Sequence, residues 1–151
     1  MRIWQELVDK KEVSDERPRL SEISNKRDAV DLWISGSKVK GVPDEMAYDA
    51  LYNAAYILCE IVMRAEGWRT KSGGHHEAVF TAFNHFIAEK FEDLAYFFDD
   101  SGKKRHEIHY DQRPMIVSPV EVDEMRLHVE ELKQIILSWL KENHPDLNPD
   151  K

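Results

Sequence analysis

An apolar stripe with the period of a helix constrains this chain more than any other feature. Ala47, Leu51, Ala54, Leu58, Ile61, Val62 and Ala65 recur at intervals of three and four residues. Residues so spaced share one side of a helix, because a turn takes 3.6 residues, whereas a half-buried strand needs alternation at every second position. Pro43-Asp44-Glu45 predicts the start of this helix, an early proline followed by acids in the first turn, and Gly67 predicts its end. A face so apolar must be covered by other elements of the same kind.

The rest of the chain supplies them. A helix is predicted from about Leu20 to Ile34, with Ile23, Val30 and Trp33 on its inner side, ended by Gly36 in the loop Ser35–Gly41. After Thr70-Lys71-Ser72-Gly73-Gly74, another long helix carries Val79, Phe83, Phe86, Ile87, Phe91, Leu94, Phe97 and Phe98. So many phenylalanines place it centrally, and Asp99-Asp100-Ser101-Gly102 is expected to break it. Ser118-Pro119 starts a last helix, in which Val122, Met125, Val129, Leu132, Ile136 and Trp139 step by three and four until Pro145 closes it. A short amphipathic helix through Glu12 carries Ile3, Trp4 and Leu7, and Val13–Arg19, with Pro18, reads as a loop or hinge. Only Met115-Ile116-Val117 has strand character, too short to imply a sheet. The expected fold is therefore all-α, a bundle of about five helices whose short loops make consecutive helices antiparallel neighbours. Phe83, Phe91, Leu58 and Leu132 are its expected core.

Size and composition agree. A chain of 151 residues is one domain's length, here read as a single bundle over 1–151 with an N-terminal helical extension (1–43) and a polar tail (146–151). With 42% hydrophobic and 33% charged residues it has the makeup of a globular protein. The formal charge of −8 argues against general affinity for nucleic acid, though not against a local basic site. Cys59 is the single cysteine, which rules out an internal disulfide or a cysteine-based metal cluster and suits a reducing cytosol. No apolar signal core occupies Met1–Val13, and no run approaches the ~20 apolar residues of a membrane span. A cytoplasmic protein with no membrane partner is the expectation.

The most unusual segment is Lys103-Lys104-Arg105-His106-Glu107-Ile108-His109-Tyr110-Asp111, which gathers three cations, two histidines and a tyrosine in an acidic chain. If the segment is helical, Arg105 and His109 share a face, and His106 and Tyr110 share the adjacent one. An Arg beside a His is what metal-free phosphodiester cleavage needs. The guanidinium stabilises charge on phosphate oxygens while the imidazole moves a proton near neutral pH. Lys103 and Lys104 add charge for an anionic ligand. The plainer alternative is a solvated basic turn paired with acids such as Asp99 and Asp100. Asn53 and Glu60 lie near the apolar stripe, where a buried polar group needs a partner. They are candidate ligand contacts, Glu60 facing a cation such as Arg105; a surface position is the other reading.

Other patterns say less. His106 and His109, or His75 and His76 with Glu77, could hold a metal through imidazole, but His106-Glu107-Ile108-His109 is one residue too short for the zinc-protease spacing. Neither a metal nor a cofactor is expected. Gly73-Gly74 lacks the Walker pattern. Tyr48, Tyr52 and Tyr56, four apart, fit a helix flank packed on neighbours better than a platform for stacking bases.

Taken in order, three stretches resemble the HEPN family. Ala47-Tyr48-Asp49-Ala50-Leu51-Tyr52-Asn53-Ala54-Ala55 resembles its first long helix, Gly67–His76 the loop to its second, and Lys104–Tyr110 the signature before its last. The likeness spans about residues 44–142. It implies an up-and-down helical bundle, a homodimer with two signatures meeting in one cleft, and binding of RNA or a nucleotide. In active members it implies metal-independent ribonuclease activity, as toxins paired with a nucleotidyltransferase-type antitoxin. Arg105 matches the signature Arg and His106 the polar residue after it. Tyr110 stands where the shortest signature has His, and His109 comes one residue early. This is closest to a variant branch of the family with Tyr at that position. A non-catalytic or weakly active module that binds RNA, a nucleotide or a partner protein is the expected function, with the toxin ribonuclease as the alternative.

Overall fold

The computed structural model describes residues 13–15, 17–70, 93, 97–98, 100–102 and 117–148. Three long helices dominate: α1 (Leu20–Gly36), α2 (Asp44–Ala65) and α3 (Pro119–Asn143), followed by a 3-10 turn over Pro145–Leu147. Residues 93, 97–98 and 100–102 are helical as well. The class is all-α. Among the described residues no helix is long and apolar enough to cross a membrane.

The ends of the helices follow from local chemistry. α3 begins with a capping box: the Ser118 hydroxyl accepts the Glu121 N–H at 3.2 Å, and the Glu121 carboxylate accepts the Ser118 N–H at 3.2 Å, with Pro119 in the first turn. α2 begins directly after Pro43, with Asp44 and Glu45 in its first turn, and ends before Gly67, whose φ of +90° turns the chain. Gly36 is the last residue of α1, as expected. The left-handed residue of that loop, however, is Gly41.

Contacts fix how the helices run. The start of α1 meets the end of α2 through Glu22 and Arg64, and Lys26 pairs with Glu60 at 3.7 Å, so α1 and α2 are antiparallel. Ser37 meets Arg126 and Asp31 meets Lys133, so α1 is antiparallel to α3 as well. α2 and α3 therefore run parallel. Ser101 and Phe97 approach Met125 and His128 of α3 in reverse order, which sets their helix against α3.

The core lies where these helices meet. Leu51, Leu58, Ile61, Met125, Val129, Leu132 and Ile136 are nearly inaccessible, together with Ile23, Val30 and Phe98. Every position of the α2 stripe is buried. α1 differs at one residue. Trp33 is 41% exposed, and Ile34 takes the inner place assigned to it. At 100° per residue, Val30 and Ile34 fall within about 20° of Ile23, while Trp33 falls about 80° away.

Two further expectations are corrected. Asp100, Ser101 and Gly102 are helical and do not break their helix; Ser101 is buried against α3, its hydroxyl kept satisfied by the Phe97 carbonyl at 2.8 Å. A two-stranded antiparallel ribbon, β1 (Val13–Asp15) with β2 (Trp68–Thr70), stands where loops were expected, Val13 opposite Thr70. The antiparallel course of α1 and α2 brings these flanking segments side by side, and three residues are too few to show a period of two. Val117 is buried but in no strand. The helix expected through Glu12, the positions Val79 to Leu94 with the core residues Phe83 and Phe91, and Met115-Ile116 lie outside the described residues.

Candidate functional site

Arg105, His106, His109, Tyr110, Lys103 and Lys104 lie outside the described residues, as do His75 and His76. The described structure reaches Gly102, one peptide bond before Lys103. The side chains around Ser101 and Gly102 are described.

α2 supplies most of them. Tyr48 and Tyr52, four apart and thus on one face, are 4% and 6% exposed. The Tyr48 hydroxyl shares a hydrogen bond with Ser101. Burial raises the Tyr48 pKa, an effect the Ser101 bond opposes and the charges of Glu124 and Asp100 reinforce. Tyr52 reaches Gly102: a Cβ built on that glycine would lie 3.0 Å from the Tyr52 Oη. From α3, Met125 places its sulfur 3.8 Å from the Ser101 hydroxyl. His128 packs its ring on Phe97 at 4.1 Å, with Glu124 and Glu131 at 4.0 and 3.6 Å from its nitrogens. The flank-packing reading of the tyrosines agrees with this burial.

Asn53 and Glu60 are both half-buried. Glu60 faces α1, where it pairs with Lys26 and lines a shallow groove of about 460 Å³ with Glu22, Asn25 and Ile57. Eight residues separate Tyr52 from Glu60, about 12 Å along the helix axis. Glu60 is thus not gathered with Ser101 and Gly102, while Asn53 lies at their level. Behind the groove, Arg64, only 2% exposed, holds Glu22 through Nε at 2.6 Å and Nη2 at 3.1 Å. A second groove, about 330 Å³, lies between the starts of α2 and α3. Arg126 there donates to the Ser37 carbonyl at 3.1 Å and to Asp123 at 3.1 Å.

Sequence reasoning missed Ser101, Gly102 and Arg64. Ser101 carried a usable signal, since it follows Phe97 by four and so extends the buried face of the phenylalanine-rich helix. Arg64 carried none, because a cation beside Met63 and Ala65 is legible as buried only once Glu22 is opposite it. Among the described residues, no group of three or more His, Cys, Asp or Glu side chains could hold a metal ion.

No family model, curated protein or solved structure matches the chain.

What the described arrangement does is seat Ser101 and Gly102 between α2 and α3. Buried tyrosines of α2 on one side and Met125 of α3 on the other pack around Ser101 and Gly102.

Proposed function

We propose that this protein is a HEPN-like helical-bundle module that binds RNA or a nucleotide through Lys103–Tyr110, as a binding module more than as a nuclease. The observation that carries this reading is the clustering of three cations, two histidines and a tyrosine within a chain of net charge −8. In such a chain an anion is drawn to a local basic site and repelled elsewhere. The all-α class supports it. A homodimer with the two segments facing one cleft, and a nucleotidyltransferase-type partner, belong to the same proposal and rest on the family resemblance alone.

A second reading, a metal-independent ribonuclease acting as a toxin, is favoured by the order Arg105-His106 and by His109 four residues after the arginine. Its weak point is Tyr110 in the place of the signature histidine. Arg105 would stabilise the phosphate, His109 or His106 would move the proton, and Tyr110 would orient or donate.

One experiment addresses both. Binding of a short single-stranded RNA should weaken in Arg105→Ala, and its dependence on salt should flatten, because one fewer phosphate contact releases fewer counterions. Cleavage in the presence of chelator, with a rate that changes between about pH 5 and 8, would establish the second reading. Equal affinity and equal salt dependence in wild type and Arg105→Ala would leave the segment a solvated basic turn.

A further inference from the structure

We draw no further inference here: the strongest candidate, the shallow groove of about 460 Å³ between α1 and α2 lined by Glu22, Asn25, Lys26, Ile57 and Glu60, carries none, because its carboxylates are already engaged by Arg64 and Lys26 and nothing in the structure shows what would occupy it.

Discussion

Cys59 is 2% exposed, its thiol donating to the Ala55 carbonyl at 3.0 Å. Burial pushes its pKa well above the ordinary value of about 9, and the neighbouring Glu60 charge adds to the effect. Below pH 9 the thiol is protonated in the folded and unfolded chain alike, so it contributes no pH dependence. Above that value the unfolded chain loses the proton while the folded chain keeps it, and unfolding gains. Stability should therefore fall as pH rises from about 9 towards the folded pKa, and the raised Tyr48 pKa should add to the fall above about 10. Denaturant midpoints from pH 7 to 10.5 check this. Cys59→Ala should flatten the part that begins near pH 9, and an identical profile in that variant would show the thiol contributes nothing. Arg64 shows the same residue-scale logic for charge: a guanidinium this buried needs partners, and Glu22 meets it through two hydrogen bonds.

The elements differ in how much of each was decided locally. α3 carries its own start signal, and the reciprocal bonds of Ser118 and Glu121 satisfy donors that the first turn would otherwise leave without partners. Ser118→Ala should cost about 1 kcal/mol in chemical denaturation with the slope unchanged, the usual worth of such a cap. A loss below a few tenths would show that Pro119 and the packing of Val122 suffice to start the helix. α2 has almost no polar face to spare, and Ala47, Ala54 and Ala55 let its neighbours come close. The helix through Ser101 is the opposite case. Aspartates, a serine and a glycine in sequence favour a stop, but the burial of Ser101 against Met125 outweighs that preference. Burial decided there, as it commonly does over the small free energies of propensity.

For the whole molecule, the resemblance bears on how many chains make the proposed site. The resemblance implies a homodimer in which Arg105 and His106 of two chains approach one cleft. Like charges repel there unless carboxylates or a bound anion offset them, with Glu107 and Asp111 close by in sequence. Sedimentation should show a dimer that tightens when RNA or phosphate is added. A strict monomer at high micromolar concentration, with and without anion, would remove the shared cleft while leaving the single-chain binding site standing.

The sequence by itself determined the class and most of the core among the described residues, because helical periodicity is a local property that survives without any neighbour. The α2 stripe, the positions Val122 to Ile136 and the boundaries at Pro43, Gly67, Ser118 and Pro145 could all be read from spacing and capping chemistry. The candidate site was legible only as a concentration of charge at Lys103–Tyr110, since composition says which groups are available and not what faces them. Tertiary structure decided the rest. It exchanged Trp33 for Ile34, buried Arg64 against Glu22, paired β1 with β2, turned Glu60 towards Lys26 and carried the helix through Ser101 and Gly102. Each of these depends on a partner far away in the chain, and a free energy that exists only between two distant residues leaves no mark on the local pattern of either.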